Sequence, residues 1–365
     1  MSSIISAIGT ATPQHRFEQN QILQFMTNAH QLNENGSARL KSLYELSGIE
    51  HRYSVLEDFG VEPGSYSFFG NEAGLTPFPS TLARGAIYEK YAKVVSQAAA
   101  EDLFSQLPDF DVKELTHLIT VSCTGMYAPG LDIDIVIRLG LDKSIERTCI
   151  NFMGCYGAFN SLKVADYICR AQPDAKVLII DVELCTLHFQ KESTLENWVS
   201  NSLFGDGAAA ILVEDESARS LNTGFLMKTF YNELVTEAIE NMAWRIGDTG
   251  FEMKLSSKIA KQISSKANAV TEKLLERAGL NLEDIQLLAV HPGGRRILEV
   301  CDEAFNSSFC LQHSFNVLRE FGNMSSASVL FVLKRILAEA KAGQNLMSFA
   351  FGPGLTFESV VLQAI

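Results

Sequence analysis

Arg147-Thr148-Cys149-Ile150-Asn151-Phe152-Met153 leads directly into Gly154-Cys155-Tyr156-Gly157-Ala158. The first seven residues are mostly β-branched and apolar, which predicts a buried strand. From Phe159 to Arg170 the apolar residues fall at helical spacing, at Phe159, Leu162, Val164, Ala165, Ile168 and Cys169. A strand that turns into a helix at a cysteine between glycines is one α/β unit, because glycine permits the tight turn. Strand-like runs at 117–122, 176–182 and 207–213 extend the same alternation. It predicts an α/β sheet covered by helices.

The second half repeats the plan. The run 285–290 ends in His291-Pro292-Gly293-Gly294, as 117–122 ends in Cys123-Thr124-Gly125. Phe204-Gly205-Asp206-Gly207 precedes a strand, and so does Phe351-Gly352-Pro353-Gly354. Two landmark pairs in the same order predict an internal duplication. The halves are expected at 1–218 and 219–365, joined in the polar stretch before Gly224. The N-terminal third reads as loops and helices around this plan and carries no functional signal of its own.

Composition narrows the class. Hydrophobic residues make up 47% of the 365 and charged ones 20%, the balance of a folded globular chain. A net charge of −13 disfavours a nucleic-acid partner, since such binding draws its affinity from phosphate neutralisation. An anionic substrate would need a local basic cluster. No apolar run reaches the roughly 20 residues of a membrane helix, so no membrane partner is expected. Met1 to Ile8 reads as a first strand and not as a leader. The seven cysteines form no CxxC pair, and their odd count speaks against a disulfide framework. Mostly buried thiols in a reducing cytoplasm are the expectation, with one of them reactive and no metal site. Walker, GxGxxG, HExxH and GxSxG motifs are absent, which removes the common nucleotide, zinc-protease and serine-hydrolase readings.

Three residues are candidates for chemistry. Cys155 is expected at a helix N-terminus, where the dipole favours thiolate. For Cys149, Cys169 and Cys301 a buried structural role is expected. His291 ends a strand and is aimed at the crevice where α/β proteins bind ligands. A neutral imidazole there can take a proton or donate to a developing oxyanion. Asn323, in Gly322-Asn323-Met324-Ser325-Ser326-Ala327, precedes a buried helical run. It fits an N-cap or an oxyanion donor, and spacing does not choose between them.

Taken in order, Gly154-Cys155, the segment 203–209, His291-Pro292-Gly293-Gly294, the segment 322–327 and Phe351-Gly352-Pro353-Gly354-Leu355-Thr356 resemble the thiolase superfamily. Within it they resemble the type III polyketide synthases, the chalcone-synthase-like enzymes. The resemblance covers the chain from about Gly48 to its end. It implies a thiolase-like fold of two duplicated βαβ halves in α-β-α-β-α layers. It also implies a cytoplasmic homodimer using an acyl-CoA starter and malonyl-CoA, with no cofactor beyond these thioesters. Cys155 would carry the starter as a thioester. His291 would hold the thiolate as an ion pair and, with Asn323, the carbonyl of the extender. Phe204 would be a gatekeeper and Phe251 its partner. Cys123, Ser325, Gly293 and Gly294 would line the substrate site. His188 and Met242 would replace small cavity residues, and Ala128 stands where plant relatives extend a methionine into the partner's cavity. The basic cluster expected before Gly48 is thin, so Arg295 and Arg296 are candidates for CoA phosphates or a carrier protein's phosphopantetheine. Two rival readings follow: a ketoacyl synthase III-like enzyme condensing once on an acyl carrier protein, and an inactive thiolase-fold scaffold.

Overall fold

The computed structural model describes residues 2–256, 258–305 and 308–365. In chain order the strands and helices are β1 (Ser3–Ala11), β2 (His15–Glu18), α1 (Gln19–Ala29), α2 (Glu34–Leu46), β3 (His51–Ser54), α3 (Thr81–Phe104), β4 (His117–Ser122), α4 (Leu131–Arg138), β5 (Glu146–Asn151), α5 (Gly157–Ala171), β6 (Lys176–Leu184) and α6 (Leu195–Leu203). The second half continues with β7 (Asp206–Asp215), β8 (Phe225–Leu234), β9 (Met242–Gly247), β10 (Gly250–Leu255), α7 (Ile259–Ala278), β11 (Ile285–Val290), α8 (Arg295–Ala304), α9 (Gln312–Phe321), α10 (Ser328–Glu339), β12 (Asn345–Gly352) and β13 (Thr356–Ala364).

Nine strands form one mixed sheet in the order β11-β12-β13-β8-β1-β7-β6-β4-β5. Its two parts touch only through β1 and β8, at Ile4–Leu226 and Ile5–Phe225. On one side the order is β1-β7-β6-β4-β5, and on the other β8-β13-β12-β11. Reading each part by its own chain order gives the same arrangement, with the counterpart of β5 missing from the second. That is the duplication expected from the paired motifs.

Burial sorts the helices into layers. α5 and α10 share one apolar cluster, Phe159, Leu162 and Val329, Leu333 meeting Ile179 and Ile211 from one part and Val360 and Leu362 from the other. They form the central helical layer. α3 covers the outer face of the first part, its Val95, Ala99 and Leu103 packing on Leu178 and Leu212. It approaches β1 so closely that a Cβ on Gly9 would overlap the Ala99 carbonyl. α7 covers the second part through Ile263, Val270 and Leu274. The result is the α-β-α-β-α layering, with the central strands of each part of the sheet covered on both faces.

One strand differs from its reading. The segment 147–153 was expected to be buried, but β5 is a sheet edge whose residues are largely exposed, Cys149 among them. It ends at Asn151, and among the described residues no strand pairs with its outer side. Hydrophobic character alone did not separate an edge strand from a central one.

Candidate active site

After β5 the backbone makes two left-handed steps, at Phe152 (φ 62°) and Gly154 (φ 89°), before α5 begins at Gly157. Few L-residues tolerate such angles, and they concentrate where a site over-determines the backbone. The turn is clamped. Gly154 N–H donates to Cys123 Sγ at 2.8 Å, and a Cβ on Gly154 would overlap Pro353 of the β12–β13 turn. Thus the C-terminal half closes over the N-terminal cysteine. Cys155 lies one residue before the Tyr156 N-cap and is 9% exposed. Its Sγ accepts from Ser325 Oγ at 3.6 Å.

Burial pushes the Cys155 thiol up to about 12, with the Ser325 hydrogen bond opposing and the Glu183 charge adding to it. Removal of a sulfur anion from water outweighs the helix dipole when the group sits outside the first turn. His291 is shifted oppositely, down to about 3 by burial. Both its ring nitrogens are without a hydrogen-bond partner, Cys155 Sγ included. Burial thus favours the neutral form of both groups.

His291 extends the ladder of β11, its N–H donating to Phe349 O at 2.8 Å. Asn323 does not cap α10, whose N-cap is Ala327. Its Nδ2 donates to Gly293 O at 3.1 Å, and its Oδ1 accepts from Ser325 N–H at 2.9 Å. Its backbone pairs with Leu203 and Gly205. Asn323 therefore joins the histidine loop, the serine on Cys155 and the end of α6. One amide hydrogen holds Gly293, and the second remains for a ligand.

The sequence reading missed a buried carboxylate pair. Asp181 and Glu183 on β6 are both fully buried. Ser326 Oγ is 2.8 Å from Asp181 Oδ1 and 2.6 Å from Glu183 Oε1. A hydroxyl has one proton to donate, so one of the two carboxyls must itself be a donor. Glu183 Oε2 accepts from Cys123 N–H at 3.0 Å and Thr124 Oγ1 at 2.8 Å, whereas Asp181 Oδ2 has no partner. Asp181 is accordingly the protonated member, donating to Ser326, which donates to the Glu183 carboxylate. Two acids within one apolar strand were the available signal, since such residues are almost never fully buried unpaired.

The cavity at Cys155 is about 20 Å³, walled by Cys123, Cys185, Phe204, Met242, Trp244 and Met253, with Ser325 and Pro353 closing it. That is room for about one water, so a starter must move side chains. Trp244 Nε1 is tied to Cys123 O at 2.8 Å, which leaves Met242 and Met253 as the adaptable wall. Met242 thus lines the cavity at Cys155. His188 and Phe251 are not on this wall; they stack on each other at 4.1 Å and line a neighbouring chamber. His188 Nε2 lies 2.7 Å from Thr124 O, and Nδ1 accepts from Phe251 N–H, which fixes a neutral ring.

An outer cleft of about 470 Å³ lies between α2, α6, the start of α7 and the histidine loop, lined by Leu43, Leu203, Gly293, Gly294, Arg295 and Arg296. Leu203 faces this cleft and Phe204 the inner cavity, so adjacent residues form the partition. Arg295 and Arg296 are about half exposed and already paired with Glu299 and Glu303.

The chain matches two family models, chalcone and stilbene synthases, N-terminal domain, over residues 2–217, and C-terminal domain, over residues 227–365. The alpha-pyrone synthesis polyketide synthase-like Pks18 of Mycobacterium tuberculosis is 29% identical over all of this chain and 91% of the relative. The 3,5-dihydroxyphenylacetyl-CoA synthase of Streptomyces toyocaensis is 30% identical over 85% of each chain. Among solved structures, PKS-I of the brown alga Ectocarpus siliculosus matches with a TM-score of 0.90 at 28% identity, covering 100% of this chain and 98% of the other. The C-terminal type III polyketide synthase domain of Steely1 from Dictyostelium has the same fold, with a TM-score of 0.89 at 24% identity, over 100% of this chain and 99% of that domain.

Proposed function

Because the chain belongs to the chalcone and stilbene synthase family and is a type III polyketide synthase, we propose that Cys155, His291 and Asn323 carry its condensation. An acyl-CoA starter enters by the outer cleft. His291 accepts the Cys155 proton, the thiolate attacks the starter carbonyl, and the CoA thiolate leaves with that proton. Malonyl-CoA then loses carbon dioxide. Its enolate oxygen is held by the His291 ring and the free amide hydrogen of Asn323, and its carbon attacks the Cys155 thioester carbonyl; the C–S bond breaks, Cys155 leaves as thiolate, and the chain, two carbons longer, stays on CoA until it reloads Cys155. The chemistry calls on the two thioesters and no other cofactor. The product class is a short aromatic polyketide or pyrone.

The observation that carries this reading is the buried, unpartnered imidazole of His291 in the loop that Asn323 ties to Ser325 and so to Cys155. A buried polar group without a partner is costly unless something fills it. We also propose a homodimer formed across β5, because an exposed edge strand with Met126 and Met153 exposed beside it is a surface that needs covering. No helix among the described residues is long and apolar enough to cross a membrane. All seven cysteines are free, which supports a reducing compartment, the cytoplasm.

The test is mass spectrometry after brief exposure to acyl-CoA. An adduct on Cys155 is expected, and none in Cys155→Ala. That variant should still release carbon dioxide from malonyl-CoA, a step needing the oxyanion donors alone. Full-rate condensation by Cys155→Ala would remove the residue from the mechanism.

A further inference from the structure

Cys123 holds the turn that carries the nucleophile. Its Sγ accepts from Gly154 N–H at 2.8 Å and donates to Gly154 O at 3.4 Å. One thiol thus takes both polar groups of the residue before Cys155. Burial pushes the Cys123 thiol well above its ordinary value, so the proton for the second bond stays in place. Such a clamp is only as firm as its base, the short stretch of Cys123 and Thr124 between the end of β4 and Gly125.

Hydrogen bonds from separate elements fix those two residues. From β6, Glu183 Oε2 accepts from Cys123 N–H at 3.0 Å and from Thr124 Oγ1 at 2.8 Å. The two carbonyls are taken by rings. Trp244 Nε1, on β9, donates to Cys123 O at 2.8 Å, and His188 Nε2, in the turn after β6, donates to Thr124 O at 2.7 Å. The rings meet edge to face, with 5.6 Å between centroids and 89° between planes. His188 then reaches the β9–β10 hairpin. Its Nδ1 accepts from Phe251 N–H at 2.9 Å, and its face lies on the Phe251 ring at 4.1 Å and 7°.

A backbone N–H only donates and a carbonyl only accepts, so this ring must accept at one nitrogen and donate at the other. A neutral imidazole does both from separate edges while lying flat on an aromatic ring. Burial favours that form and lowers His188 to about 3. Filling the space would require neither nitrogen. His188 also lies outside the lining of the cavity at Cys155 and of the outer cleft at Arg295. Resting on the reading of Cys155 as the acyl carrier, we propose that His188 is a positioning residue for that cysteine. It acts through Thr124 O, Cys123 Sγ and Gly154, and so ties the nucleophile's turn to the β9–β10 hairpin. Misplacing a reacting atom by about 1 Å can cost on the order of a hundredfold in rate. The bond to Thr124 O therefore sets how fast Cys155 is loaded and leaves the affinity for the starter alone.

The experiment separates the two bonds of the ring. In His188→Gln the side-chain amide reaches the place of Nε2 and can donate to Thr124 O. In His188→Asn it ends near the place of Nδ1, can accept from Phe251 N–H and falls short of Thr124 O. Single-turnover loading of Cys155 is followed by mass spectrometry with acetyl-, benzoyl- and long-chain acyl-CoA in turn, and its rate and half-saturating starter concentration are read. His188→Gln is expected to load within about threefold of the wild type and His188→Asn about tenfold to a hundredfold more slowly. The half-saturating concentration should be alike in all three. Cys123→Ala removes the last link and leaves His188 in place. It is expected to slow loading about as much as His188→Asn, and the two changes together no further, because members of one chain of contacts do not add. Equal loading by His188→Gln and His188→Asn, or additive losses in the double variant, overturns the proposal. Where His188→Asn does not fold, Cys123→Ala decides, and wild-type loading in it is the overturning result. A wild type that none of the three starters loads would instead overturn the reading of Cys155, so the two failures are distinct.

Discussion

Asp181 is a neutral acid in the folded chain because its neighbours leave it no donor. Burial first, and the Glu183 charge second, hold its carboxyl well above the usual range. The stability consequence has a definite sign. The folded state keeps a proton that the unfolded chain releases above 3.8, so the contribution is full below that pH and is lost as pH rises toward the folded value. While the difference of one proton lasts, the loss is about 1.4 kcal/mol per pH unit. Asp181→Asn keeps a donor for Ser326 Oγ and cannot ionise. The variant should therefore hold its stability between pH 5 and pH 8 better than the wild type does. Thermal melts of both proteins at the two pH values measure this. An identical pH dependence would mean that Asp181 is not the protonated member.

At the scale of elements, the β5–α5 turn sets the position of the sulfur. Gly154→Ala would force a side chain into left-handed backbone, roughly 1–2 kcal/mol in itself, and would push against Pro353. A lowered melting temperature together with a loss of acyl loading is expected, because any relief moves Cys155. Unchanged loading would show that the Pro353 contact does not position the thiol. Helix α8 has a smaller part. Its Arg295 and Arg296 line the outer cleft but are neutralised by Glu299 and Glu303, so an exposed contact to CoA phosphate contributes little. The double change to alanine should raise KM for malonyl-CoA about twofold to fivefold at low salt and leave kcat alone. An unaltered KM returns the pair to helix surface chemistry. Elements of this kind were legible in the sequence wherever burial matched periodicity: β4 and β11 fall where their apolar runs predicted, and α5 and α10 within two residues. The cysteine, histidine and asparagine were legible because each sits at a glycine-marked turn. Asp181 and Glu183 were not. Their meaning depends on which atoms of distant segments meet them, and spacing along one chain carries no such information.

At the scale of the whole molecule, the unequal halves matter. The first part of the sheet ends in β5, for which the second part has no counterpart, and the exposed Cys149 lies in its middle. Such an edge with Met126 and Met153 uncovered invites pairing, and a second copy would bury it isologously. The next residues along the chain are Phe152, Gly154 and Cys155, so an interface at β5 would also brace the strained turn that carries the thiol. Cys310 is exposed far along the sequence and serves as an internal reference. In the wild type, sedimentation should report about twice the 40.2 kDa chain mass, and iodoacetamide should modify Cys310 well before Cys149. Replacing Met126 and Met153 by aspartate places like charges at the proposed contact. The mass should fall to 40.2 kDa, Cys149 should become as reactive as Cys310, and acyl loading should drop because the turn loses its brace. A wild type that sediments at the chain mass, with both cysteines alkylated at one rate, would mean that β5 is a free edge and that the turn is held by Pro353 and Cys123 alone.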